Sequence, residues 1–186
     1  MAESYPALAA GQRITASLLR SMLPQVARKT ADTSRSATTT LADDLHLTWT
    51  VDAGGVYMID GWIKFDGPTA ADINIGWTLP TGTDGEWTAL GAGLSPVISF
   101  NSSGVALTDT VSSRGYTIRS ESLDLISNNR TLGTLGVGTG MSALINATIR
   151  VGATGGALSF KWAQFTSDAS PTTVHTDSTL RLQRVA

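Results

Sequence analysis

Cysteine is absent from the 186-residue chain, which removes disulfide stapling, thiolate catalysis and Cys-ligated zinc together. Histidine occurs only as His46 and His175, and neither has a partner at the spacing of a metal site or a catalytic triad. Charge is also scarce: 15% of residues are charged, where an ordinary globular domain carries about a quarter. The net charge of −2 provides no basic excess for nucleic acid. No apolar run approaches the roughly 18 residues that a membrane helix needs. The opening MAESYPALAAGQR lacks the basic start and apolar core of a secretory signal. These absences lead us to expect a soluble protein made in the cytoplasm, with neither a nucleic-acid nor a membrane partner. A chain so poor in charge must cover its outside with Ser, Thr, Asn and Gly, or bury it against copies of itself.

What the chain does have is alternation. Met141, Ala143, Ile145, Ala147, Ile149 and Val151 form an apolar row against Ser142, Asn146, Thr148 and Arg150, and only Leu144 breaks the polar side. A period of two with one apolar row is the mark of a strand with one buried face. Glycines at 152, 155 and 156 supply a reversal, and Leu158, Phe160 and Trp162 repeat the pattern. The stretch reads as a long amphipathic hairpin that packs on a second sheet. Leu45, Leu47, Trp49 and Val51 alternate likewise, as do Ile73, Ile75, Trp77 and Leu79, and later Leu180 and Leu182. Residues 34–41 read as an edge strand. In residues 56–65, Tyr57, Ile59, Ile63 and Phe65 share one row while Met58 and Trp62 lie on the other with Asp60 and Lys64. Both faces of that strand are partly apolar, so something covers its outer side. Shorter candidates fall at 87–90, 97–100, 105–111 and 116–126. Eight to ten short strands with frequent turns predict an all-β fold, a jelly-roll β-sandwich over residues 31–186.

Residues 1–30 differ. Thr15 is placed to cap a short helix that Pro24 stops, with Leu18, Leu19, Met22 and Leu23 on one side and Ile14 just outside the cap. So short a helix is unstable alone and must dock, on its own domain or on a neighbouring subunit. Through Arg35 the chain carries five positive and two negative charges, leaving the rest at −5. A basic arm on an acidic body suits docking onto a neighbour, although a solvated charge run fits as well.

No catalytic constellation emerges. Asp43, Asp44, Asp72, Asp84, Glu86 and Asp168 read as turn and cap residues, since glycoside hydrolysis needs two carboxyls across a cleft and calcium a dense oxygen loop. The glycine-rich run 133–140 lacks the Gly-Lys-Ser/Thr ending and a following helix, so it reads as a loop and not as a phosphate cradle. Among the aromatic residues, Trp49, Trp77 and Trp162 share apolar rows and belong to the core. Trp87 and Tyr116, beside polar loops, are the candidate surface platforms for a glycan. We expect no enzyme activity, no metal and no cofactor.

Several stretches taken together carry a resemblance. AGQRITASLLRSMLP (10–24), KTADTSRSATTTL (29–41), VYMIDGWIKFDG (56–67) and the ending WAQFTSD…TLRLQR (162–184) resemble structural proteins of phages and prophages of actinobacteria. Members are usually described as minor tail proteins, with a body similar to the trimeric jelly roll of the C1q and tumour-necrosis-factor type. The resemblance implies a homotrimer within a virion, partnered by other tail or capsid proteins, and brings no catalytic residues with it. On this reading Ile14, Leu18, Leu19, Met22 and Leu23 dock the arm on the particle. Met58 and Trp62 are the expected trimer contact. A tail or fibre component, with host-surface glycan as a further partner, is the first expectation; a capsid decoration protein is the alternative, and a free carbohydrate-binding module the third.

Overall fold

The alternating segments pair in a nested order, the first strand with the last and so on inward. The computed structural model describes residues 5–6, 8–94, 118–120 and 124–186. Among these, β1 (Gln25–Arg28) pairs with β13 (Thr179–Arg184), β2 (Thr33–Arg35) with β12 (Thr172–Val174), and β3 (Ala42–Val51) with β11 (Gly156–Gln164). Further in, β4 (Val56–Gly67) pairs with β10 (Gly136–Arg150) and β5 (Ile73–Thr78) with β9 (Arg130–Leu132). Innermost, β6 (Asp84–Ala92) pairs with β7 (Ile118–Ser120) and β8 (Asp124–Leu125). One long antiparallel ribbon, rolled up so that its halves become two sheets, is a jelly roll. Rolling adds the lateral contacts β13–β4, β10–β6 and β11–β5. The larger sheet runs β1-β13-β4-β10-β6-β7 and the smaller β3-β11-β5-β9.

The rows read from the sequence meet between these sheets. Tyr57, Ile59, Ile63 and Phe65 of β4 and the Ala143–Ile149 row of β10 face Leu158, Phe160 and Trp162 of β11, all buried. Trp77 stands edge-on to both Trp87 and Phe160, with ring centroids 5.8 and 5.7 Å away, a favoured aromatic geometry.

Three sequence expectations are corrected. The 141–162 hairpin is not a paired hairpin: β10 bonds to β4 and β6, and β11 to β3 and β5. The two strands face each other across the core, joined by an arch. Alternation fixes which side of a strand is apolar but not whether its apolar partner lies beside it or opposite it. The arch is crowded, since a Cβ on Gly152 would sit 2.6 Å from the Gly82 carbonyl oxygen. In β3, the register with β11 shifts between Ser159 and Lys161. This bulge turns Leu45 out to 87% exposure and Asp44 inward to 1%. The edge strand at 34–41 shrinks to β2 because Ala37 takes a φ of 53° and its N–H goes to the Asp168 carbonyl.

Residues ahead of 31 also contribute to the sheets. β1 lies in the larger sheet with Ala27 buried, and Lys29 is fully buried. The candidate strands at 97–100 and 105–111 lie outside the described residues.

Candidate assembly surfaces

The outer face of the larger sheet carries an apolar band. Across the ladder, Leu144 of β10 lies opposite Trp62 of β4 on one side and Leu90 of β6 on the other. All three side chains point to solvent, at 50%, 43% and 36% exposure. Met58, further along β4, and Val26 on β1 are exposed on the same face. A groove of about 360 Å³ runs beside the band, lined by Leu90, Ala92, Met141 and Leu144 among others. Asp60, between Met58 and Trp62, accepts from the Arg181 guanidinium, and the Lys64 ammonium lies 5.6 Å over the Trp62 ring. The expected contact pair Met58 and Trp62 thus sits on an exposed apolar surface. Leu144 and Leu90 are the members that sequence reasoning passed over. The signal was present in Leu144, the one apolar residue on the polar row of its strand.

The arm forms a helix, α1 (Ala16–Ser21), where the cap signal placed it. Thr15 is extended and its hydroxyl accepts the Leu18 N–H at 3.2 Å. No residue of α1 is buried. Ile14, Leu19, Met22 and Leu23 are exposed by 44–67%, and Leu18 is half-buried. Tyr5 returns to the body, stacking on the Arg184 guanidinium at 4.1 Å. The apolar stripe therefore projects from a segment held at both ends.

The charges of residues 28–35 do not join that projection. Arg28 pairs with Asp177. Arg35 lies 4.1 Å over the Trp162 ring and donates to the carbonyls of Ala42, Asp43 and Trp162. Lys29 Nζ lies 2.6 Å from Asp44 Oδ2, with neither side chain exposed. Trp162 Nε1–H donates to the same oxygen at 3.2 Å and the His46 backbone N–H to Oδ1 at 3.0 Å. Burial pushes the Asp44 carboxyl up, but the hydrogen bonds and charge of Lys29, with those of His46 and Trp162, outweigh it and hold the group below the usual carboxylate range. These cations fasten β1 and β2 to the body, which leaves Arg13 and Arg20 as the cations of the arm itself.

Both histidines have partners. His46 Nδ1 accepts the Thr30 N–H at 3.0 Å. The His175 ring stands between Asp32, 3.3 Å from Nδ1, and Asp66, 3.4 Å from Nε2. The Thr176 backbone N–H, ahead of its hydroxyl and His175, pulls the Asp32 carboxyl down to about 2. Among the described residues no cluster of three or more His, Cys, Asp or Glu side chains could hold a metal ion.

The glycan platform at Trp87 is overturned. Its indole is 1% exposed and donates to the Asn128 carbonyl at 3.2 Å, because Trp87 lies on the inward row of β6. Tyr116 lies outside the described residues. Of the five tryptophans, Trp62 alone is exposed; the others range from 0% to 8%.

No family model matches the chain, and no curated protein does. Among solved structures, matches include infectious bursal disease virus of the Gx strain, at 13% identity and a TM-score of 0.19, covering all of this chain and 42% of that one. The Gt strain gives 14% identity and a TM-score of 0.16, covering 88% of this chain and 38% of that one. The VP2 subviral particle of the same virus gives 13% and 0.19, covering 87% and 41%. The chain spans about two fifths of the length of these viral chains. A likeness at this level assigns the chain neither a family nor a role, which must be argued from its own residues.

Proposed function

We propose that this is a virion structural protein: a homotrimer of the tail or fibre type, fastened to the particle by its N-terminal arm and free of catalytic activity. One observation carries the reading. A single chain presents two unpartnered apolar surfaces, the α1 stripe and the outer face of the larger sheet, while the described residues bring no catalytic or metal-binding cluster together. Two such surfaces suit a subunit that meets its copies through one and a different protein through the other. The resemblance of residues 10–24 and 56–67 to phage structural proteins supports the same assignment, since those stretches contain the arm stripe and the Met58–Trp62 face.

The double substitution Leu19→Asp with Met22→Asp tests the division of labour. The purified variant keeps the oligomeric mass of the wild type, whereas particles assembled with it lack the protein. Normal incorporation of the variant would remove the anchoring role. Immunogold labelling with copy number then distinguishes tail from shell: few copies at the tail support the tail assignment, and tens to hundreds over the capsid replace it with a decoration protein.

A glycan-binding reading moves to Trp62, the one exposed indole. It competes with the trimer contact, because an indole buried between subunits cannot stack on a sugar. Binding of cell-wall glycan by the intact oligomer, lost on Trp62→Ala, would favour this second reading.

A further inference from the structure

The junction between arm and body holds an amine and a carboxyl group in contact within the core. We propose that Lys29 and Asp44 become joined by an intramolecular isopeptide bond, a covalent clasp between the end of the first strand and β3. The pair is in direct contact, with Nζ 2.6 Å from Oδ2 and neither side chain exposed. Groups held so closely react as one molecule, without the entropic cost of meeting.

The surrounding donors sit where the reaction needs them. From the resting ammonium–carboxylate pair, which the surrounding hydrogen bonds favour, a proton must first pass from Nζ to Oδ2, giving an amine beside a carboxylic acid. The Nζ lone pair adds to Cγ, and negative charge develops on Oδ1, where the His46 N–H already donates at 3.0 Å. As the oxyanion collapses the Cγ–Oδ2 bond breaks. Oδ2 leaves as water, taking a second proton from nitrogen, while the Trp162 Nε1–H donates to it at 3.2 Å. Thr33 Oγ1, 2.8 Å from Nζ, is the hydroxyl placed to relay that proton. No other carboxyl group among the described residues hydrogen-bonds to either partner, so the relay falls to Thr33. One N–C bond forms, one C–O bond breaks, one water is released, and nothing is oxidised or reduced. The product replaces two buried charges, whose desolvation is costly, with a neutral amide.

The position gives the bond a use, and this part rests on the anchoring reading above. Load entering through the arm reaches the body at β1, a four-residue edge strand whose partner among the described residues is β13. A covalent link to β3 from Lys29, immediately beyond that strand, stops the peeling at β1, short of β2 and β3.

The experiment is intact-mass spectrometry of the purified wild-type chain, followed by peptide mapping. The proposal expects a mass lower by one water than the sequence mass, and a branched peptide containing Lys29 and Asp44. Lys29→Arg keeps the cation but cannot form the amide, so it shows its full mass. A full-mass wild type yielding only linear peptides for residues 29 and 44 overturns the proposal. The outcome does not depend on what the arm binds.

Discussion

The two outer faces of this sandwich are built differently, although the same alternation writes both. On the smaller sheet, Thr48, Thr50, Asn74 and Thr78 point outward, and the hydroxyls of Thr48 and Thr78 find partners within the chain. Thr48 Oγ1 meets Ser159 Oγ at 2.7 Å, and Thr78 Oγ1 donates to Asp43 at 2.5 Å. Apart from Leu45 at the bulge, the strands of that face expose no large apolar residue among those described. On the larger sheet, Trp62, Leu144, Leu90, Met58 and Val26 are left to solvent. One face is polar and the other leaves an apolar band open. Low charge alone would have been compatible with either outcome, since a hydroxyl-rich surface and a buried apolar one both dispense with Lys and Glu. On the homotrimer proposed above, this difference puts the contact between copies on the larger sheet.

The sharpest way to break this comparison is Leu144→Asp. It sets a carboxylate between Trp62 and Leu90, and assembly would then have to bury an unpaired charge. We expect the association constant to fall by about tenfold to a hundredfold from the lost leucine alone, whose burial is worth about 1.5–3 kcal/mol, and further from the buried charge. The fold should survive, because residue 144 points away from the core. Light scattering across a dilution series reads this directly, and an unchanged oligomer would move the contact elsewhere. The matching change on the other face is Thr48→Val, which leaves Ser159 Oγ without its hydroxyl partner. Chemical denaturation should show a loss of about 1 kcal/mol, with no change in association. A variant that self-associates differently would show that the smaller sheet is an interface too.

The difference between the faces was only partly legible beforehand. The inward rows of β4, β5 and β10 could be read because side chains alternate strictly along an unbroken strand. Leu45 could not, because a bulge changes the phase without changing the composition, and its cause lies in pairing with β11, more than a hundred residues away. Asp44 was misread for the same reason. In sequence it is a turn-like acid beside Asp43; in the fold it is buried and bonded to Lys29. Trp87 looked exposed because its neighbours are polar, yet Asp84, Glu86 and Thr88 are polar as the outward row that alternates with it. The α1 cap was legible because Thr15 and Leu18 are local in sequence. The nested pairing was not, since every pair in it is long-range and many registers satisfy the same alternation.

The smallest expected effect lies at the margin of the apolar face, where His175 lines a groove with Trp62, Lys64 and Ser142. Asp32 holds the segment that carries His175, accepting the Thr176 N–H at 2.7 Å and its hydroxyl at 2.8 Å. Its carboxyl is depressed to about 2 in the folded chain, against about 3.9 in an unfolded one. A depressed acid contributes stability that is fully present above the unfolded value and is lost as pH falls through the folded one. Asp32→Asn can still accept from Thr176 but cannot titrate. Between pH 4 and pH 2, the wild type should therefore lose more stability than the variant, and their unfolding midpoints should converge toward the acid end. Because Asp32 is open to solvent the gap is small and shrinks with added salt. If self-association weakens over the same window in the wild type and not in the variant, the His175 segment is part of the contact. If only the unfolding midpoint moves, the contact ends at the Trp62–Leu144 band.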